Sequence, residues 1–261
     1  MSGERLRIAG MGVLGAAISL AVWWVSAATF LKDNQVPTPP DVLDVFTERG
    51  FGYYRKIFSI TLEEAGRGYV VGVAVALLLA TLVLLVPRLE PVIMQFAVVT
   101  YCLPIVALAP ILIIVHDLPE SGGTSPTAID LAAISVFFTT VVGAVLGFRS
   151  ADRTTVDVVS VYGGGKLQQF LRVRLVSALP ALFTTLQIAA PAAFLGALLG
   201  EYFDRHLEIG VGPSLILSQN NRETALAWSL GIACALVSGL AYLLIGLIGR
   251  WVAPWSKGVS R

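Results

Sequence analysis

Charge is scarce in this sequence. Of its 261 residues only 13% are Asp, Glu, Lys or Arg, about half the share that a soluble domain of this length carries. What charge there is collects in short segments and leaves long apolar gaps, so too little polar sequence remains to coat a water-soluble core. Cysteine is scarce as well. Cys102 and Cys234 fall in different apolar stretches, which excludes a disulfide framework and a Cys-based metal site and reads as two small buried hydrophobes. The two histidines, His116 and His206, belong to no His-Glu-x-x-His, and no Gly-x-Ser-x-Gly occurs. An intramembrane enzyme is therefore not expected, and no metal is.

The gaps have a telling length. Uncharged stretches run over 8–31, 69–86, 91–115, 131–148, 175–200 and 224–249, each long enough for a helix to cross a hydrocarbon core of about 30 Å. Apolar surroundings leave backbone groups no outside partner, so each stretch closes its own hydrogen bonds as a helix. The first run is longer than the apolar core of a cleaved leader, contains Trp23 and Trp24, and is read as a span. The fold class is thus all-α integral membrane, six transmembrane helices in one domain, 1–261. With the N-terminus inside, eleven basic residues fall on the cytoplasmic side, among them Arg88, Arg149, Arg153, Lys166, Arg172, Arg174, Lys257 and Arg261. Seven, including Lys32, fall outside. That bias predicts N-in and C-in.

Connections follow from the breakers. Pro37, Pro39 and Pro40 open the longest outer segment, and 41–60 then shows loosely helical apolar spacing, as for an interfacial helix that anchors to the membrane or binds a partner. The outer segment 116–130, with Pro119, Gly122, Gly123 and Pro126, reads as a loop. The cytoplasmic segment 149–174, between the fourth and fifth spans, carries the most information. Val156, Val159 and Tyr162 share one helical face, with Thr154 or Thr155 as the cap. Leu167, Phe170, Leu171 and Leu175 form a second amphipathic stripe, and Gly163, Gly164 and Gly165 separate the two. Such a helix–turn–helix fits a groove on another protein or rests on headgroups. Gly-Gly-Gly-Lys166 lacks the spacing of a phosphate loop, and Leu167 stands where the hydroxyl belongs, so the chain itself is not expected to bind nucleotide.

This loop resembles the EAA motif of ABC-importer permeases. Asp157-Val158-Val159 stands at the Glu-Ala-Ala positions and Gly163 at the motif glycine. Lys166, Gln168 and Phe170 fit the helix after it, and Leu175 and Pro180 fit the leucine and second proline. Asp157 is shorter than glutamate, and Val176 replaces the first proline. Further fragments are similar to the nitrate/sulfonate/taurine branch, which includes vitamin-precursor transporters: Thr61-Leu62 before Gly68-Tyr69, the proline-rich run from Tyr101 through Pro104 to Pro110, Glu201, and Gly210-Val211-Gly212. The resemblance implies an inner-membrane permease subunit that forms the path for a small polar solute. It implies docking of ATP-binding subunits through Asp157, Val158, Val159, Tyr162, Gly163, Gly164, Lys166, Gln168 and Phe170. The implied partners are those subunits, which hold ATP and Mg, a second permease copy or homologue, an extracytoplasmic substrate-binding protein and membrane lipid; none is a nucleic acid.

Tyr101, Pro104, Pro110, Gln187 and Glu201 are the candidate path residues. The prolines free backbone carbonyls or merely kink the span. Glu201 is either a gate residue or a solvated helix end, while Gly196 and Gly200 suit close helix approach. The alternative is an ion-coupled secondary transporter. It is disfavoured because no Asp, Glu, Lys, Arg or His falls within the six uncharged stretches, and such transporters carry buried charge along their path.

Overall fold

The computed structural model describes residues 2–31, 35–116 and 123–255. Of the residues on which the loop assignments and the charge bias rest, Lys32, Pro119, Gly122, Lys257 and Arg261 lie outside these. Among the described residues every regular element is helical: α1 (Ser2–Ala28), α2 (Pro39–Leu85), α3 (Glu90–Cys102), α4 (Ile105–Val115), α5 (Pro126–Arg149), α6 (Arg153–Val161), α7 (Lys166–Gln169), α8 (Leu175–Phe203), α9 (Val211–Asn220) and α10 (Thr224–Val252). Five of the helices are long and apolar enough to cross a membrane, and the bent pair α3–α4 makes a sixth if taken as one span.

Two compact units are present. One comprises Met1–Lys56 with Ser214–Cys234, the other Ile57–Pro213 with Ala235–Arg261. In the first unit, Trp23 stacks on Trp228 at 5.3 Å, the Tyr54 hydroxyl meets Ser229 Oγ at 2.8 Å, and Arg49 pairs with Glu223 at 2.8 Å. Much of α1 points outward, with Leu14, Ile18 and Trp24 exposed, as suits a helix solvated by lipid rather than water.

The core of the second unit is built around α5. Ala76, Ala80 and Val83 of α2, Ile93 and Ala97 of α3, and Ala178 and Leu182 of α8 close on Phe137, Val141, Ala144 and Phe148. Small residues set the spacing. A Cβ at Gly200 would stand 2.4 Å from the Cα of Ala128, and one at Gly196 2.6 Å from the carbonyl oxygen of Leu131. The close approach expected of these two glycines is therefore present, and it brings the α8 and α5 backbones together where lipid supplies no hydrophobic drive.

Two elements depart from the sequence expectation. The stretch 41–60 is not one separate interfacial helix. The part before Gly50 (φ 69°, ψ 162°) is a short helix of its own, and the part after it runs on into the second span; both are included in α2. No proline follows until Pro87, so the helix has no reason to stop where charge gives way to apolar sequence. Val42, Tyr54 and Phe58 are buried in protein, and Glu63 and Arg67 pair across one turn at 2.5 Å on the exposed side. The run 91–115 is likewise not one helix. Leu103 is extended (φ −70°, ψ 124°) because it precedes Pro104, and α3 and α4 meet at 95°. Pro110 lies inside α4 and does not interrupt it.

Candidate functional site

The segment between α5 and α8 folds as two short arms about a locked turn. Asp152 caps α6: its Oδ2 accepts the Thr155 amide and hydroxyl, both at 3.1 Å. The cap is therefore Asp152 and neither Thr154 nor Thr155, since the helix starts two or three residues earlier than a threonine cap would allow. These hydrogen bonds hold the Asp152 carboxyl below the usual aspartate range. At the far end Gly163 adopts φ 78°. Its N–H donates to the Ser160 carbonyl (2.9 Å), and that of Gly164 donates to the Val159 carbonyl (2.8 Å). Both bonds of a Schellman motif are thus made, with glycine in the left-handed position where a Cβ is penalised. A Cβ on Gly164 would lie 2.4 Å from Val159 Cγ1. Gln169 Nε2 ties the second arm back by donating to Ser160 Oγ at 2.8 Å.

The second arm is not an independent helix. α7 passes through one π-helical turn, Phe170–Arg174, into α8. Val176 stands where a proline would interrupt, so nothing ends the helix there. The expected apolar stripe consequently splits. Phe170 and Leu175 turn inward, Phe170 meeting Phe148 edge-on at 5.3 Å, while Leu167 and Leu171 stay exposed. On the first arm Val156 is buried and Val159 half-buried. Val158, Val161 (84% exposed) and Tyr162 (87% exposed) point away from the protein. Asp157, Gly163, Lys166 and Gln168 are exposed around them, and Gly164 is half-buried in the turn. The result is an apolar tip on a rigid turn, anchored at its root by Phe170, Val156 and an ion pair between Arg149 of α5 and Glu90 of α3.

The candidate path residues do not share one environment. Tyr101 and Pro104 sit at the α3–α4 bend, where Tyr101 is exposed and stacks on Phe138 at 4.6 Å. Pro110 is exposed on α4. Gln187 is half-buried on α8 and fills the space that Gly246 of α10 leaves open, where a Cβ would stand 2.5 Å from its Nε2. Glu201, at 0% exposure, is no solvated helix end. Its Oε1 accepts from Thr61 Oγ1 at 2.6 Å and its Oε2 from the Gly212 amide, 2.7 Å away at the start of α9. The Val211 amide in turn donates to Thr61 Oγ1 at 3.2 Å.

Sequence reasoning missed the rest of this cluster. Glu64, also at 0% exposure, accepts the Ser125 amide at the head of α5 at 2.5 Å, and Ser125 Oγ donates to Asp204 Oδ2 at 2.9 Å. No ion pair among the described residues reaches Glu64, Glu201 or Asp204. Glu64 and Glu201 lean instead on backbone amides at the heads of α5 and α9, and Asp204 on the Ser125 hydroxyl and the His206 amide. Glu64 was legible in principle: it lies on the α2 face of Thr61, Ala65 and Gly68, all buried, whereas Glu63 lies off it and pairs with Arg67. Its burial also corrects the argument against ion coupling. The uncharged stretches are free of charge, but the helices extend past them and bury three carboxyls. That rival must be decided on other grounds.

Those grounds are relationships. Residues 68–258 match the family model for the binding-protein-dependent transport system inner membrane component. The chain is similar to the formylaminopyrimidine transport permease protein ThiX of Halalkalibacterium halodurans, 23% identical over 91% of this chain and 92% of the relative. It is similar to the nitrate import permease protein NrtB of Leptolyngbya laminosa, 27% identical over 82% and 75%. It is similar, too, to the riboflavin transport system permease protein RibX of Chloroflexus aurantiacus, 26% identical over 64% and 60%. A multi-pass helical frame, a rigid apolar-tipped loop and a match across most of the chain agree: this protein belongs to the family of binding-protein-dependent transport inner membrane components, the ABC transport permeases, and is a transport subunit rather than an enzyme.

Proposed function

We propose that the chain forms the translocation path of an ABC importer for a small polar solute and couples that path to ATP-binding subunits through the α6–α7 turn. The carrying observation is the tip itself. Val161 and Tyr162 are 84% and 87% exposed on a turn fixed by two backbone hydrogen bonds, and large apolar side chains displayed on a rigid support suit a pocket on a partner. In this reading both termini and the loop are cytoplasmic, as the basic bias favours. ATP and Mg sit on the partner subunits, a second permease completes the path, and an extracytoplasmic binding protein delivers the solute. Closure of the ATP-binding subunits moves the tip. Because α7 runs without a break into α8, the displacement passes directly to a span rather than dissipating in a linker.

The relatives named above are named for transport of a formylaminopyrimidine, riboflavin or nitrate, and the solute here is proposed from that range, together with sulfonates. Reconstitution of the chain with the ATP-binding and binding-protein subunits encoded beside it, followed by ATP hydrolysis measured against each compound, tests the reading. One of them should stimulate hydrolysis several-fold. Uptake by the chain alone in liposomes, driven by an ion gradient without ATP, would overturn it in favour of ion coupling.

A further inference from the structure

We infer that the chain holds an anionic phospholipid at the end of the α2–α5–α8 packing, at the root of the docking loop and away from its Val161–Tyr162 tip. A cavity of about 200 Å³ lies there, lined by Ala80 and Val83 of α2, by Val145 and Phe148 of α5, and by Arg149 and Arg174. The same two arginines line a second, more polar groove, together with Arg153 and Asp157. Cavity and cationic groove therefore adjoin across the two arginines that line both.

The charges are not internally balanced. Arg149 is engaged by Glu90. Among the described residues neither Arg153 nor Arg174 has a carboxylate within ion-pair distance, although Asp157 lies on the groove wall. Arg174 is also partly buried, and a guanidinium with restricted access to water and no counterion calls for an anion. Phosphate oxygens match its planar fork of donors. The location fits as well. The last turn of α2, the last turn of α5 and the root of α8 meet where apolar spans give way to polar sequence, the level at which headgroups lie, and basic pockets between spans bind anionic headgroups there. A phosphodiester would sit between Arg153 and Arg174 and an acyl chain would enter between α2 and α5. A free phosphate would use only the groove, and an acidic segment of a protein partner would leave the cavity unfilled. A largely hydrocarbon-lined cavity beside a groove with unpaired guanidinium groups therefore selects a lipid.

The test does not depend on transport, so its failure and that of the proposed function are separable. The full chain, purified in a mild detergent and stripped of lipid, is incubated with phosphatidylglycerol or phosphatidylcholine of the same acyl composition, and retained lipid is counted by native mass spectrometry. Phosphatidylglycerol should be retained about tenfold better, a difference of one decade in binding constant. Arg153→Gln, at an exposed position that leaves the fold intact, should lower retention several-fold, and Arg153→Gln with Arg174→Gln should remove the preference. Inorganic phosphate in large excess should displace little of the lipid. Equal retention of the two lipids would overturn the inference. So would full displacement by inorganic phosphate, which would make this a free-phosphate site. Unchanged lipid retention in the double variant, together with loss of ATP-binding subunits from the complex, would assign the arginines to a protein partner and overturn it too.

Discussion

Glu201 has to satisfy two carboxylate oxygens where water is excluded, and it does so with one threonine hydroxyl and one helix N-terminus. Removing the acid strands those donors. Glu201→Ala should therefore destabilise the chain by about 2–4 kcal/mol, the cost of about two unpaired buried groups, whereas Glu201→Gln keeps an acceptor for one of them and should cost less. Thermal unfolding of the solubilised protein distinguishes the two, and equal midpoints would refute this account of the cluster. Asp152 offers the opposite case, an exposed carboxylate whose cap hydrogen bonds depress its titration. With the folded value below the unfolded one, its contribution is complete at neutral pH and is lost as pH falls through and below the ordinary aspartate range. Hydrogen exchange of the first α6 amides should accordingly rise on acidification in the wild type. It should be high at every pH in Asp152→Ala, and Asp152→Asn, which keeps a capping oxygen, should show no such acid step.

At the scale of elements, geometry rests on a few positions where a side chain has no room. Gly163→Val places a β-branched residue at φ 78°, where even an ordinary side chain costs about 1–2 kcal/mol. The two turn hydrogen bonds should loosen, and substrate-stimulated ATP hydrolysis in the reconstituted complex should fall while the spans stay folded. Retention of wild-type coupling would argue that the turn angle does not matter. Gly200→Val drives a Cβ to 2.4 Å from Ala128 Cα. Backbone stands on both sides, so α5 and α8 must separate, at a cost of about 1–3 kcal/mol or more, read as a lower unfolding midpoint. The glycine pair was legible in the sequence because small residues four apart on an apolar helix have few other uses. The extent of α2 was not, because a charge boundary marks where a helix leaves lipid and says nothing about where its hydrogen bonding ends. The bend at Pro104 was half legible: proline announces a kink, but a 95° turn depends on what the two arms pack against.

For the whole molecule, the proposed function makes the tip part of an assembly larger than this chain. Val161→Asp with Tyr162→Asp changes two side chains that touch little of their own protein, so stability should shift by no more than about 0.5 kcal/mol per site. Co-purification of the ATP-binding subunits should nevertheless be abolished. Undiminished co-purification would move the docking surface elsewhere. By itself the sequence determined that this is a multi-pass helical membrane protein and that its loop between α5 and α8 is amphipathic and glycine-broken. Both are written in composition and in periodicity, which are local. Only the tertiary structure decided which residues of that loop face outward, that Phe170 anchors the turn instead of presenting itself, and that Glu64, Glu201 and Asp204 are gathered out of water. Those outcomes depend on which helices meet and at what distance. A carboxylate four residues from an arginine and a carboxylate sealed against a helix N-terminus look alike until the neighbouring helices are in place.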